Sequence, residues 1–144
     1  MNHENHTIAY YANDPIDVSK LVALYESVGW VGYTEHPEKM EKILAGSLTY
    51  FSAWKGDQLV GLIRTVGDDA SILYIQDILV HPDHQRLRIG SALVNKVLDK
   101  HAHIRQIVLL TDDTEKTQAF YTSLGFQSSK ALHSVAFIKM SWEV

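Results

Sequence analysis

The chain has 144 residues, no cysteine and a formal net charge of −4 with histidine neutral; 46% of it is hydrophobic and 21% charged. These values fit one globular domain, residues 1–144, long enough to bury its own core. The missing cysteines exclude disulfides, thiolate metal sites and a cysteine nucleophile, and the acidic balance argues against nucleic acid or an anionic membrane as partner.

The N-terminus "MNHENHTIAYY" lacks a basic segment followed by an apolar one, so no secretory leader is read there. No apolar run approaches the roughly 18 residues of a membrane span, which makes the cytoplasm the expected location. Residues 7–12, "TIAYYA", read as a short strand. From Asp17 to Val28 the apolar residues Val18, Leu21, Val22, Leu24, Tyr25 and Val28 recur at helical spacing, with Gly29 as the stop. "GWVGY" reads as a loop. Residues 37–45 carry proline at a first-turn position and acids early, both signs of a helix start.

The period then changes. "LTYFSAWK", "GDQ" and "LVGLIRTVG" read as a hairpin, and "SILYIQDILV" as a central strand ending at His81-Pro82. Residues 84–102 carry a stripe of Leu87, Ile89, Leu93, Val94, Val97 and Leu98, predicting one amphipathic helix. "QIVLLT", 106–111, is nearly all apolar, as in a strand covered on both faces. "DDTEKTQAFYTSLG" predicts a capped helix ending at Gly125, and "FQSS" and "HSVAFIKMSW" the last strands. The fold class is therefore α/β: a mixed sheet of six to seven strands flanked by about four helices. Strand 70–80, helix 84–102 and strand 106–111 form a parallel, right-handed βαβ unit, preceded by a three-strand meander.

The joint "VHPDHQRLRIGSAL", 80–93, places two arginines and a glycine where a strand feeds a helix. A helix N-terminus carries unpaired N–H groups and partial positive charge, which makes it an anion site. Neither a Gly-Lys-Ser/Thr phosphate loop nor a Gly-x-Gly-x-x-Gly fingerprint is present.

"ILVHPDHQRLRIGSALV" resembles the acetyl-CoA-binding motif of the GNAT superfamily of N-acetyltransferases, in particular its small bacterial single-domain members. That motif runs Gln/Arg-x-x-Gly-x-Gly/Ala. Gln85 matches its first position and Gly90 its last, while Arg88 replaces the middle glycine. "AFYTSLGF", 119–126, is similar to the family's Phe-Tyr-x-x-x-Gly-Phe segment, "GDQLVGLIR", 56–64, to its hairpin, and "VGW", Tyr33 and "IQD" to one bacterial subgroup. The likeness spans roughly the whole chain in the family's order.

The resemblance implies acetyl-CoA as cosubstrate, lying in a V-shaped opening between strands 70–80 and 106–111. Its pyrophosphate would take N–H groups from Arg86, Leu87, Arg88, Ile89, Gly90 and Ser91, next to Gln85. Its pantetheine arm would run along Ile78, Leu79 and Val80 as an added strand, with a backbone N–H near Ile78 facing the thioester oxygen. Tyr121 matches the family's general acid, and a phenol of pKa about 10 suits a leaving thiolate. Thr114 stands where many members carry asparagine, and is either a cofactor contact or a helix cap. The activity implied is acetyl transfer to an amine of a small molecule or peptide. Trp30, Tyr33, Tyr74 and Gln76 are candidate acceptor contacts, the aromatics as a wall for a cationic amine.

The base is open. Simple alternation puts Tyr74, Gln76, Ile78 and Val80 on one face and Ile75, Asp77 and Leu79 on the other. Asp77 is the nearest carboxylate, yet it points away from the cleft unless a bulge re-aims it. A water relay, an amine deprotonated beforehand, or Asp77 as catalytic helper or anchor of the turn at 81–85 all remain. At Arg88 a negative φ is the favoured expectation, leaving the guanidinium free for a phosphate. The histidine pairs His3/His6, His81/His84 and His101/His103 have no third ligand at metal spacing, so no metal is expected and a solvated role is assigned to them. The rivals are a catalytically weak CoA-binding sensor and a non-catalytic interaction domain. Many family members pair, so a homodimer stays open.

Overall fold

The computed structural model describes residues 7–141. Two compact units divide at Leu110/Thr111. The larger unit holds a five-stranded sheet whose order along the sheet is that of the chain: β1 (Ala9–Ala12), β2 (Thr49–Lys55), β3 (Gln58–Gly67), β4 (Ile72–Val80) and β5 (Gln106–Leu109). The first four strands pair antiparallel as a meander; β4 and β5 are parallel, as the βαβ reading requires.

Helix α1 (Val18–Ser27) and helix α3 (Pro37–Ala45) follow the sequence reading closely. Between them a one-turn helix, α2 (Val31–Thr34), takes up the end of "GWVGY", where a plain loop was expected. Leu21, Leu24 and Tyr25 of α1 and Met40 and Leu44 of α3 pack on Leu59, Leu62 and Leu79 of the sheet. Helix α4 (Ile89–Lys100) covers the other face with Ile89, Leu93, Val94 and Val97, all buried. Burial of each such side chain contributes about 1.5–3 kcal/mol. The close approach of α4 depends on Gly61 of β3: a Cβ there would lie 2.8 Å from Ile89 Cγ2 and 3.3 Å from Leu93 Cδ1.

Four expectations are corrected. The helix predicted over 84–102 is two pieces, a 3₁₀ turn (Pro82–Leu87) and α4, because Arg88 between them has φ 57° and ψ 27°, left-handed backbone that ends one helix and caps the next. The strict alternation along β4 fails at Gln76. Arg64 pairs with Asp77 but Thr65 pairs with Ile75, leaving Gln76 as the extra residue of a bulge. Arg64 and Val66 share a face of β3, so their partners Asp77 and Tyr74 share one too, while Ile75 and Ile78 share the opposite face.

The third correction concerns the last strands. Residues 133–141 form no strand, and residues 129–132 of the smaller unit form a 3₁₀ turn. The sheet therefore has five strands among the described residues, not six or seven. Strands exist by pairing, and the apolar alternation of "HSVAFIKM" meets no ladder there; Phe137 is 95% exposed. The expected strand residue Trp142 lies outside the described residues. The fourth follows: β5 is an edge strand with no fully buried residue, not a strand covered on both faces. The smaller unit holds α5 (Glu115–Ser123), with Gly125 at φ 97° after its end, as read. No helix among the described residues is long and apolar enough to cross a membrane.

Filling the space over Gly61 tests this packing. Gly61→Ala should lower the urea midpoint at unchanged m, by about 1–3 kcal/mol of overpacking; an unaltered midpoint would mean α4 is free to shift.

Candidate active site

The β4–α4 joint is built from the backbone outward. Pairing of β4 with β5 runs from Ile72/Gln106 to Ile75/Leu109 and stops, while β4 continues to Val80. The two strands thus part at the Gln76 bulge. Beyond it, the His81 N–H donates to the Val60 carbonyl at 2.8 Å, which makes His81/Val60 a hydrogen-bonded pair. Antiparallel pairs alternate, so Leu79 and Asp77 also bond to β3, and the N–H and C=O groups of Ile78 and Val80 point to the side that β5 has left. Leu79 turns its backbone to β3 and its side chain into the α1-side core.

At the end of β4 the Gln85 amide folds back and donates to the Val80 carbonyl at 3.4 Å. Arg88, the residue before α4, makes no side-chain cap. Its positive φ reverses the favoured expectation; the cost of left-handed backbone for a residue with a Cβ is about 1–2 kcal/mol. The first-turn N–H groups of Ile89, Gly90 and Ser91 have no carbonyl within α4 to bond. Arg86, Leu87 and Arg88 are exposed and Ile89 is buried. The strand edge and the helix N-terminus therefore adjoin through the eight residues 81–88.

On the α1 face sits a buried ion pair. Asp77 is 3% exposed and its Oδ2 accepts from Arg64 Nε and, at 2.9 Å, from the Tyr25 hydroxyl; its Oδ1 accepts from the Tyr33 hydroxyl at 3.4 Å. Tyr25 packs edge-on to Tyr33, with centroids 5.2 Å apart, and tilted to Trp30 at 6.0 Å. Trp30 and Tyr33 are partly exposed, Tyr74 is half-buried and Gln76 is exposed at the bulge. Burial, with the charges of Asp77 and Tyr33, raises the Tyr74 phenol above its ordinary value. The bulge thus brings Tyr74, Tyr33 and Asp77 to one side, which simple alternation would not do. Arg64 and Tyr25 were missed as site residues; both lie in apolar-looking segments that read as core.

In the smaller unit, Thr114 caps α5: its hydroxyl accepts from the Thr117 N–H at 3.2 Å and donates to Asp112 at 2.8 Å. Tyr121 stacks edge-on with Phe120 and Phe126. Burial, then the Asp112 charge, raises its phenol above the ordinary value, so it keeps its proton at neutral pH. Among the histidines the solvated reading fails for His101, which is 2% exposed; His3 and His6 lie outside the described residues.

Comparison with known proteins agrees with this architecture. Residues 46–128 match the family model described as an acetyltransferase (GNAT) domain. A solved GNAT family acetyltransferase from Streptococcus pneumoniae is 34% identical and superimposes with a TM-score of 0.84 over 95% of this chain and 100% of its own. An uncharacterized N-acetyltransferase of Prochlorococcus marinus is 29% identical over 87% of this chain and 71% of its own. A structure of AAC(6')-Iy in complex with a CoA-linked bisubstrate analogue is similar in fold, with a TM-score of 0.70 over 94% of this chain and 99% of its own at 17% identity. The chain belongs to the GNAT family and is an acetyltransferase.

The buried ion pair has a pH signature. Burial and Asp77 push the Tyr25 phenol far above its ordinary pKa. The unfolded chain releases that proton near pH 10, so the contribution is complete below about pH 10 and declines as pH rises above it. Tyr25→Phe should cost about 1 kcal/mol at pH 7 and give a flatter stability curve above pH 10, measured by urea unfolding. An equal alkaline decline in both proteins would assign the effect elsewhere.

Proposed function

We propose that residues 1–144 act as one domain that transfers acetyl from acetyl-CoA to an amine of a small molecule or peptide by direct attack. The observation that carries this reading is the parting of β4 from β5 at Gln76, which leaves the Ile78 backbone and the Val80 N–H open beside the N-terminus of α4. Ile78 and Val80 would hold the pantetheine amides as an added strand. Ile89, Gly90 and Ser91 would donate N–H groups to the pyrophosphate, with Gln85, Arg86, Leu87 and Arg88 forming the turn around it. The cosubstrate supplies an activated thioester.

The Ile78 N–H would stabilise negative charge on the carbonyl oxygen under attack. The amine nitrogen forms the new bond to the acetyl carbon as the carbon–sulfur bond breaks, and Tyr121 gives its proton to the leaving thiolate. Its raised pKa supports that role, since the proton is present when needed. Thr114 assists through its cap rather than by direct contact, because its hydroxyl already accepts and donates. Asp77 acts as a positioning residue: Arg64, Tyr25 and Tyr33 occupy its oxygens. The amine therefore arrives neutral or gives its first proton to water; the proton that the nitrogen sheds on forming the new bond also passes to water, and water returns one to Tyr121.

Trp30, Tyr33, Tyr74 and Gln76 would form the acceptor wall. Aromatic faces and a net charge of −4 suit a cationic small molecule, and one structural neighbour is an aminoglycoside acetyltransferase from an uncultured soil metagenomic sample. Nucleic acid and membrane are not partners in this reading, and the cytoplasm is its setting. The engaged carboxylate of Asp77 favours, as a second reading, a CoA-binding sensor with weak turnover; an amine screen separates the two.

Calorimetric titration of the purified, CoA-free protein with acetyl-CoA should show one saturable site, and a folded protein without binding would remove the proposal. Tyr121→Phe should lower kcat about 100-fold and leave the CoA Kd unaltered; unchanged kcat with chemistry limiting would take Tyr121 out of the reaction. Arg88 already has the backbone conformation that glycine favours, so Arg88→Gly should keep the fold. It should weaken CoA binding about tenfold through the lost charge–phosphate contact, whereas tighter binding would mean that the side chain obstructs the cradle.

A further inference from the structure

At the end of α4 away from the cradle, a buried polar atom lacks a partner. His101 follows α4 and is buried; its Nε2 lies 2.9 Å from Thr49 Oγ1 and its Nδ1 has no hydrogen bond. The neighbouring hydroxyls assign the protons. Thr65 Oγ1 lies 3.1 Å from the Thr49 carbonyl, to which it donates, and 2.7 Å from Thr49 Oγ1. One direction of donation satisfies every contact: Thr65 to the Thr49 carbonyl, the Thr49 hydroxyl to Thr65 Oγ1, and His101 Nε2–H to Thr49 Oγ1. Nδ1 is then the bare lone pair.

That lone pair faces Asp69 Oδ1 at 3.5 Å, longer than a charge-assisted N–H···O bond of about 2.7–2.9 Å. His103 Nε2 lies 3.0 Å from the same Asp69 oxygen and 3.2 Å from the Asp69 carbonyl. Asp69 itself is fixed: the preceding Asp68 carboxylate accepts from the N–H groups of Ala70, Ser71 and Ile72 and from the Ser71 hydroxyl, which clamps the β3–β4 turn.

We propose that Asp69, His101 and His103 bind a zinc-type divalent metal ion that ties the β3–β4 turn to the α4–β5 loop. The three donor atoms lie within 4.8 Å of one another. Tetrahedral bonds of about 2.0–2.1 Å set ligand atoms about 3.3 Å apart, and the observed 3.0 and 3.5 Å separations bracket that value. Two imidazoles and one carboxylate select zinc, nickel or copper over magnesium or calcium. The Thr49 hydrogen bond orients His101 as an outer partner orients a metal-ligating histidine. The exposed His103 ring can rotate to close the remaining edge. Twelve residues of α4 put the ion about 18 Å along the helix from the cradle, so its role is structural and independent of the acetyl-transfer reading.

Tag-free, EDTA-treated protein is titrated with Zn²⁺ against a chromogenic chelator, with Tm followed in parallel and Co²⁺ used as a spectroscopic probe. One equivalent should bind, raise Tm and give visible Co²⁺ bands. His103→Ala and Asp69→Asn, both at exposed positions, should each weaken Zn²⁺ binding by at least about 10–100-fold and abolish the Tm rise, while the double variant His81→Ala/His84→Ala retains both. Absence of stoichiometric binding, or binding that survives in the two ligand variants, overturns the proposal.

Discussion

The Arg64–Asp77 ion pair is the constraint on which the α1 side of the sheet depends. Both partners sit at a hydrogen-bonded position of the β3–β4 ladder, one residue from the Gln76 bulge. Two buried charges are tolerated only when their remaining polar atoms find partners. Tyr25 from α1 and Tyr33 from α2 supply hydroxyls to both carboxylate oxygens. The same four side chains therefore fix the bulge register, the seating of α1 and the orientation of an aromatic wall. A hydrophobic pair could fill this volume, but it would not specify where the tyrosine hydroxyls end.

The bulge links that packing to the opening. One extra residue rotates the end of β4 so that its backbone no longer follows β5. Ordinarily an unpaired stretch of central strand is a liability. Here it is short, from Ile78 to Val80, and bounded by the Gln85 amide on the Val80 carbonyl. Arg88 adds a second local departure, left-handed backbone without glycine. Ile89 and Leu93, anchored over Gly61, hold the start of α4 so firmly that the conformational cost of Arg88 is absorbed by tertiary packing. Strain that is over-determined by its surroundings commonly marks a functional turn.

The legible parts of this fold were those with a period. Helices α1 and α3, the β2–β3 hairpin, the parallel β4–α4–β5 unit and the Thr114 cap all follow from spacing and turn chemistry. The bulge was not legible, because "YIQDI" alternates without interruption and only the pairing with Arg64 and Thr65 reveals the extra residue. Arg88 was misread because the preference of arginine for negative φ is local, whereas its conformation is set by where α4 must start. The His101–Asp69 contact joins residues 32 positions apart in sequence across a turn and a loop; the His-x-His spacing was visible, but its carboxylate partner was not. Arg64 lies in an apolar strand segment, and nothing local reveals that Asp77 would meet it in the core.

The two ends of the β4–α4–β5 unit have opposite mechanical characters, and each makes the other intelligible. At one end β4 and β5 pair, the Asp68 clamp closes the β3–β4 turn, and the His101–Thr49–Thr65 chain fastens the end of α4 to β2 and β3. At the other end the strands separate and backbone donors are left free. An opening held by a bulge alone would close or fray, because unpaired backbone gains by pairing. Fastening the far end fixes the angle at which the strands diverge. The buried side-chain hydrogen bonds therefore gather at the closed end and around Asp77, not at the open edge: donors that must be available to an incoming molecule cannot also hold the fold together.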